Sequence, residues 1–239
     1  MTSITVTENV SSEENLLYVQ SASSELLAHA GCTARLNRNG ERSVLTVNCP
    51  EYYSDVIKAE IIDKTAEIIT VKYKCDYFAK QLKVGGLSTN EKQILVASLI
   101  AADFDDDKRY AFDKIKSCKE IAIDGVYNFR LRLLKKKWQE VTDCIPQCFL
   151  STQLKEFISY LLENKKKRVY IDGGKVYDSH YRRLNRSSLL GGDGVKIIRE
   201  VLLSNCGEID IMGDIPKEDE YYLREYYTDK IIFSGGYTN

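Results

Sequence analysis

Five cationic side chains stand close together in IDGVYNFRLRLLKKKW, residues 123–138, among aromatic and long apolar residues. Lysine and arginine bind phosphates without reading base sequence, and aromatic rings can stack on unpaired bases. The segment therefore contains the residue types of a nucleic-acid-binding surface. Our candidate residues for a surface that binds an anion or a partner are Arg130, Arg132, Lys135, Lys136, Lys137, Lys165, Lys166, Lys167, Arg182 and Arg183.

The same stretch also fits one amphipathic helix whose apolar side faces the interior. Its apolar stripe comprises Val126, Phe129, Leu133, Leu134, Trp138, Val141 and Ile145. Such a helix would bury Phe129 and Trp138, so neither ring could stack on a base. No helix-turn-helix, zinc-finger or single-strand-binding signature accompanies the cations. We therefore expect the aromatic side to be interior and the cations to form a solvated face, with nucleic acid or an acidic protein as the alternative partner.

Three other motifs contain residue types that could bind a metal ion, bind a phosphate or catalyse a reaction, and each has a simpler structural explanation. The acidic run DFDDD at 103–107 lacks the spacing of a calcium-binding EF-hand, so we expect a solvated loop. The glycines around Asp193 lack the pattern of a phosphate-binding loop, which favours a linker with Asp193 as a helix cap. Residues 177–180, YDSH, hold an acid, a hydroxyl and an imidazole, but sequence neighbours rarely converge on one reacting atom. We predict no catalytic, metal or cofactor site.

Charge is unevenly distributed along a chain whose net charge is only −1. Residues 108–196 contain 20 Lys and Arg against 10 Asp and Glu, whereas the segments before and after are acidic. A basic middle segment either meets an anionic partner or is neutralised by the acidic ends within the fold. The near-zero total slightly favours neutralisation.

Composition indicates a soluble cytoplasmic protein. The seven cysteines are scattered without a C-x-x-C pair, which is typical of reduced thiols in a cytosolic protein. The N-terminal residues lack the cationic and apolar regions of a signal peptide. The longest apolar run, residues 94–102, is about half the length that a membrane span requires, so we expect none.

Hydrophobic periodicity predicts a helix-rich α+β fold in three segments. Residues 1–49 form a strand-helix-strand unit, with strands at 2–7 and 43–49, one helix reaching Ala30 and a polar loop at 31–42. Residues 50–164 form the central helical region with the IDGVYNFRL motif. Residues 165–239 form a small, mainly parallel α/β sheet that ends in the strand KIIFSG.

Local signals place several helix starts and turns within this outline. Pro50 opens a helix of about thirty residues, and Ser88 with Glu91 forms a capping box. Asp124 is expected to cap the helix of the basic segment. Gly173-Gly174 indicates a hairpin turn.

The segment IDGVYNFRL carries a resemblance to a known family. An apolar-Asp-Gly entry, an aromatic-Asn-Phe-Arg-Leu start, a long charged helix, a second helix of the KEFISYLLE type and then strands resemble the YtxC-like family of sporulation proteins. The resemblance is best from about residue 120 to 180, and residues 1–115 match only in general layout. It implies a cytoplasmic bacterial protein tied to sporulation, without an established enzymatic activity, and transfers no site residue.

The leading interpretation is a non-enzymatic sporulation-associated protein that acts by binding an unknown partner. A nucleic-acid-binding protein that uses the basic segment 108–196 is the first alternative. An enzyme in the C-terminal sheet is the second, with its ligand at the carboxyl ends of the strands, where open α/β sheets bind ligands.

Overall fold

The computed structural model describes residues 1–118 and 120–234, and the chain folds into two compact units. Unit 1 consists of Met1–Lys74 and Asp105–Glu140, and unit 2 consists of Cys75–Phe104 and Val141–Asn239. Each unit combines helices with its own sheet, which confirms the predicted helix-rich α+β class.

The helices and strands account for most of the described residues. The strands are β1 (Thr2–Asn9), β2 (Thr33–Asn39), β3 (Arg42–Cys49), β4 (Ile121–Ala122), β5 (Arg168–Asp172), β6 (Lys175–Tyr177), β7 (Arg183–Leu184), β8 (Glu208–Ile211) and β9 (Ile231–Phe233). The helices are α1 (Glu13–Ala22), α2 (Ser24–His29), α3 (Ser54–Ile68), α4 (Lys74–Gln81), α5 (Thr89–Ala102), α6 (Phe104–Lys116), α7 (Ile123–Arg130), α8 (Arg132–Cys144), α9 (Ser151–Leu161), α10 (Lys196–Leu203) and α11 (Lys217–Tyr227). Gly235, the last residue of the predicted strand KIIFSG, lies outside the described residues.

The sheet of unit 1 has the strand order β2-β3-β1-β4. The strands predicted at 2–7 and 43–49 are present and pair antiparallel, and β4 adds parallel to β1. Helix α1 packs on β1 and β3 and buries Leu16 and Val19. These contacts form the apolar core of the N-terminal part of unit 1.

The predicted polar loop at 31–42 is wrong, because β2 lies there. Strand β2 pairs antiparallel with β3, with Asn39 opposite Arg42 across a two-residue turn. Gly40, the first of the two turn residues, has a φ of +61°, which glycine adopts at no steric cost. The strand carries few apolar residues, so periodicity alone does not reveal it. The single helix predicted as far as Ala30 is also divided, because α1 and α2 are separated at Ser23.

The long helix predicted after Pro50 runs from α3 to α4 through a π-helical turn at Ile69–Tyr73. The apolar residues that recur along it at helical spacing are mostly interior, since Ile57, Ile61, Ile68, Val71 and Phe78 are buried and Cys75 and Leu82 are half-buried. A π turn inserts one extra residue and rotates the side chains that follow it. Lys74 comes directly after this turn, and its side chain is buried.

The predicted acidic loop at 103–107 is wrong. Only Asp103 separates α5 from α6, and Asp105, Asp106 and Asp107 form the first turn of α6. The positive end of the helix dipole favours acidic side chains at this position. Asp107 is buried, so a solvated loop does not describe it.

The helix of the basic segment begins and breaks differently from the prediction. Helix α7 begins at Ile123, directly after β4, and its cap residue Ala122 has no capping side chain. Asp124 is therefore not the cap. Its carboxylate instead accepts two hydrogen bonds, of 2.5 and 2.8 Å, from the Arg42 guanidinium. The helix also ends at Arg130, and α8 begins after Leu131.

The sheet of unit 2 has the order β7-β6-β5-β8-β9. Strands β5, β8 and β9 are parallel, as predicted, whereas the hairpin edge formed by β5, β6 and β7 is antiparallel, so the sheet is mixed. Gly173 and Gly174 form the predicted turn with φ values of +52° and +72°. Within this unit α10 packs against α5 and α11.

Of the two helix caps that the sequence predicts in unit 2, the structure confirms one and contradicts the other. The capping box of Ser88 and Glu91 is confirmed at the start of α5. Asp193 is not the cap of α10, because Val195 in a left-handed conformation precedes that helix. The buried Asp219 carboxylate accepts a hydrogen bond of 2.9 Å from the Ile198 amide in the first turn of α10. In the part of the chain that the structure describes, no helix is both long and apolar enough to cross a membrane.

Candidate functional site

The interior side of α8 is organised around Trp138, whose side chain is 0% exposed. Its indole Nε1 donates a hydrogen bond of 2.9 Å to Oδ2 of Asp107. The same carboxylate accepts hydrogen bonds from Nζ of Lys74 at 2.7 Å and from Nζ of Lys137 at 2.9 Å. We call Asp107, Lys74, Lys137 and Trp138 the Asp107 cluster. The prediction that the aromatic side of the segment is interior is therefore confirmed for Trp138.

The Asp107 cluster contains an ion pair removed from water. The side chains of Lys74 and Asp107 are each 1% exposed. Burial alone raises the pKa of Asp107, but the Lys74 ammonium and the hydrogen bonds from Lys74, Lys137 and Trp138 together lower it. The ionised carboxylate is therefore the form that the folded protein stabilises. Charges buried in this way cost little only while both partners are present.

The predicted apolar stripe is only partly interior. Val126, Leu134 and Trp138 are buried, but Phe129 and Leu133 are 81% and 70% exposed. The cause is the break between α7 and α8, where the fully buried Leu131 takes an interior position. The residues after the break are rotated relative to those before it, so one stripe drawn along a continuous helix does not describe both helices. Phe129 lies in the last turn of α7, before the break, and Leu133 lies in α8, after it.

The outward side of the segment combines apolar and cationic residues. We call five of its exposed side chains, Phe129, Arg130, Arg132, Leu133 and Lys136, the α7–α8 surface. Among the described residues, no carboxylate lies within 4.0 Å of the guanidinium groups of Arg130 or Arg132. Lys136 has one long contact, 3.8 Å, with Glu140 on the same helix. These three charges are therefore not neutralised by the acidic ends of the chain.

The other two cations of the segment are used within unit 1. Lys137 is half-buried in the Asp107 cluster. Lys135 is also half-buried, with its Nζ 4.7 Å from the ring centroid of Tyr127 and 3.3 Å from the Asn128 carbonyl oxygen. The structure thus brings Arg130, Arg132 and Lys136 to the surface and assigns Lys135 and Lys137 a structural role.

Neutralisation by the acidic N-terminal segment occurs elsewhere in unit 1. Nζ of Lys108 lies 2.8 Å from Asp63 and 2.9 Å from Glu67. The Tyr18 hydroxyl donates a hydrogen bond of 2.8 Å to Glu67. Neutralisation within the fold therefore applies to Lys108, but not to Arg130 and Arg132.

The remaining candidate cations belong to unit 2. Lys165, Lys166 and Lys167 lie in the segment that leads into β5, and the last two are exposed. Arg182 and Arg183 are exposed where the chain enters β7. The sheet separates β5 from β7 by β6.

The YDSH motif forms a turn in the structure. Oδ1 of Asp178 accepts hydrogen bonds from the backbone amides of His180 and Arg182, at 2.8 and 3.0 Å. The Ser179 hydroxyl lies 3.4 Å from Nδ1 of His180. The carboxylate holds the backbone of the turn, so these residues do not form the ordered acid–imidazole–hydroxyl relay that nucleophilic catalysis requires.

In the described ranges, 1–118 and 120–234, no group of three or more His, Cys, Asp or Glu side chains is arranged to hold a metal ion. The seven cysteines all lie in these ranges, and no disulfide joins any two of them. Cys49 and Cys206 are buried, whereas Cys144 and Cys148 are exposed.

The exposed α7–α8 surface is expected to contribute much less to the free energy of unfolding than the core beneath it. Lys136→Ala is expected to change the free energy of unfolding by less than about 0.5 kcal/mol, as exposed substitutions do. Urea denaturation followed by circular dichroism measures the change. A loss above about 1 kcal/mol would mean that Lys136 is part of the packing of unit 1.

The α7–α8 surface is the candidate site, because the structure exposes three of the cations that the sequence singles out. It lies in the NFRL part of the sequence, at a helix break, and it exposes an aromatic ring among unneutralised cations. The chain matches no protein-family model, no curated protein and no solved structure.

Proposed function

We propose that the protein is a non-enzymatic, cytoplasmic binding protein of sporulation whose partner is a single-stranded nucleic acid. The contact area is the α7–α8 surface of unit 1. The sporulation setting is supported by the resemblance of the IDGVYNFRL segment to the YtxC-like family. The nature of the partner is supported by the residues that the surface exposes.

The observation that carries the proposal is the exposure of Phe129. Leaving a phenylalanine in water forgoes about 1.5–3 kcal/mol of burial free energy, so a partner that covers the ring recovers part of it. Neighbouring Arg130 and Arg132 can contact phosphates on either side of a base stacked on the ring. The sequence argument against stacking required Phe129 to be buried, and the structure removes that requirement.

Single strands fit this surface better than a duplex. A stacking platform needs an unpaired base, and every base offers a ring face, so such a surface tolerates many sequences. The short helices α7 and α8 meet at a break, whereas major-groove recognition uses an uninterrupted helix that presents base-reading side chains. Leu133 adds an apolar contact for the sugar or base edge.

Binding of fluorescein-labelled oligothymidine and oligouridine to the full chain tests this proposal. Phe129→Ala is expected to weaken binding by about 5- to 150-fold, the range that loss of one base–aromatic stack covers. The double substitution Arg132→Glu and Lys136→Glu is expected to weaken it at least as much. Three phosphate contacts predict a slope of about −2 for the logarithm of the binding constant against that of salt concentration.

Two control variants on the same unit are matched for residue type and exposure. Tyr52→Ala removes another exposed aromatic ring, and Lys58→Glu reverses another exposed cation on α3. Both should bind as the wild type does. Absence of salt-dependent binding to either oligonucleotide would contradict the proposal. Binding of an acidic peptide, without binding of either oligonucleotide, would indicate that the α7–α8 surface has a protein partner instead.

A further inference from the structure

Unit 2 contains a cavity of about 660 Å³ that the sequence does not predict. Residues of α4, α5 and the loop before α10 line it, and most of the lining is apolar, including Phe78, Leu82, Leu95, Val96 and Leu190. Its volume falls within the range of about 300–1,000 Å³ typical of small-molecule sites. An apolar cavity with a few placed polar groups is the usual form of such a site.

Arg199 of α10 contributes to the wall of this cavity and is only 2% exposed. Its Nη1 and Nη2 donate hydrogen bonds to the carbonyl oxygens of Gly191 and Gly192, at 2.8 and 3.2 Å. Its Nε has no hydrogen-bond partner among the residues that the structure describes. Two neutral carbonyls position the guanidinium without cancelling its charge.

The charge of Arg199 is attracted at a distance by Asp219, Glu200 and Asp193, but none of these carboxylates pairs with it directly. Among the described residues, no carboxylate lies within 4.0 Å of its guanidinium nitrogens. The nearby acids have other partners, since Asp219 bonds the Ile198 amide and Glu200 bonds the Ser187 amide. Arginine remains protonated in proteins, so it cannot escape this environment by losing its charge. A buried charge without a counterion is costly unless an anion accompanies it.

Other polar groups of the lining support an anionic ligand. Lys83 and Lys92 line the cavity and are exposed, so they lie on its solvent side and add positive charge there. Oε1 of Gln93 is buried, has no hydrogen-bond partner among the described residues and can accept a hydrogen bond from a ligand hydroxyl. The lining thus joins cations to an apolar interior.

We infer that this cavity binds an anionic amphiphile, a molecule with a carboxylate or phosphate group near Arg199 and an apolar body between α4 and α5. Charge attraction selects the head group, and burial of the apolar body supplies most of the affinity. The glycines at 191 and 192 serve this site through their carbonyls. They do not form a phosphate cradle, because the amide of Ile198 at the start of α10 is bound to Asp219.

Calorimetric titration of the full chain with decanoate, decyl phosphate and decanol tests the inference. At least one of the two anions should bind with one molecule per chain, and decanol should bind at least tenfold more weakly. Preference for decanoate would identify a carboxylate head group, and preference for decyl phosphate a phosphate. Binding of neither anion, or equal binding of decanol, would overturn the inference.

Two substitutions locate the binding in the cavity. Ala79→Trp places an indole at an exposed position of the cavity wall and should abolish anion binding, whereas Ala59→Trp at an exposed position of α3 should leave it unchanged. Arg199→Gln should weaken anion binding at least tenfold and leave decanol binding unaltered. If Arg199→Gln fails to fold by circular dichroism, the Ala79→Trp result decides alone. Wild-type affinity in a folded Ala79→Trp variant would overturn the inference.

Discussion

Asp107→Ala is expected to lower the free energy of unfolding by about 3–5 kcal/mol, because it leaves the Lys74 ammonium buried without its counterion. The substitution also removes the acceptor for Nζ of Lys137 and for the indole of Trp138. Urea denaturation near neutral pH, followed by circular dichroism, measures the loss.

The control for this prediction lies one residue away. Asp106 belongs to the same helical turn, but its side chain is exposed and pairs with Arg109. Asp106→Ala should change the free energy of unfolding by less than about 0.5 kcal/mol. Equal losses for the two substitutions would show that the Asp107 cluster does not contribute specifically to stability.

The effect of Asp107→Ala should also depend on pH. The pKa of Asp107 is lower in the folded protein than in an unfolded chain. A carboxylate of this kind contributes stability that is present above the pKa of the unfolded chain and lost as pH falls through the folded-state pKa. The difference between wild type and Asp107→Ala should therefore shrink in acid.

Trp138→Ala is expected to cost about 3–5 kcal/mol, the range for replacing a large buried aromatic side chain by alanine. The indole packs with its ring centroid 6.3 Å from that of Tyr127 and bonds the Asp107 carboxylate. Its removal creates a cavity and takes one donor from a buried acid, so both effects act in the same direction. The free energy of unfolding in urea is again the relevant measurement.

Phe129→Ala is the matched control, since it truncates an aromatic ring of the same segment on the exposed side. Its effect on the free energy of unfolding should stay below about 0.5 kcal/mol. An unchanged stability of Trp138→Ala, or a loss for Phe129→Ala as large as that for Trp138→Ala, would mean that the inner and outer sides are assigned wrongly.

Features encoded in neighbouring residues were predictable from the sequence. The capping box of Ser88 and Glu91 and the turn at Gly173-Gly174 depend on local chemistry. The buried stripe of α3 and α4 follows from helical periodicity. The interior position of Trp138 also follows from periodicity, although the helix that carries it is shorter than expected.

Features that depend on distant partners were not predictable in the same way. Asp107 appears in a run of acids, and only Lys74, 33 residues earlier in the chain, gives it a buried role. The carboxylate that binds the first turn of α10 is Asp219, 21 residues from Ile198, so the prediction that Asp193 caps this helix is wrong. Arg199 lies within an ordinary amphipathic pattern, and its missing counterion becomes evident only from the packing around it.

The exposed position of Phe129 has a related cause. The break at Leu131 has no proline or glycine to mark it, so a continuous helix was the simplest interpretation. Pairing of β4 with β1 fixes where α7 begins, and burial of Leu131 fixes where α8 begins. Tertiary contacts at both ends thus set the rotation of the two helices and turn Phe129 outward.

Tryptophan fluorescence, measured with and without single-stranded oligonucleotide, tests the central claim most directly. This claim is that residues 123–138 pack into the core with one side and bind nucleic acid with the other. The chain has one tryptophan, Trp138, so Phe129→Trp adds a second indole on the outer side only. We predict that the wild-type emission resists quenching by acrylamide and by oligothymidine, whereas saturating oligothymidine quenches the indole introduced by Phe129→Trp. Strong acrylamide quenching of the wild type, or no response of the Phe129→Trp variant to oligothymidine, would contradict the account.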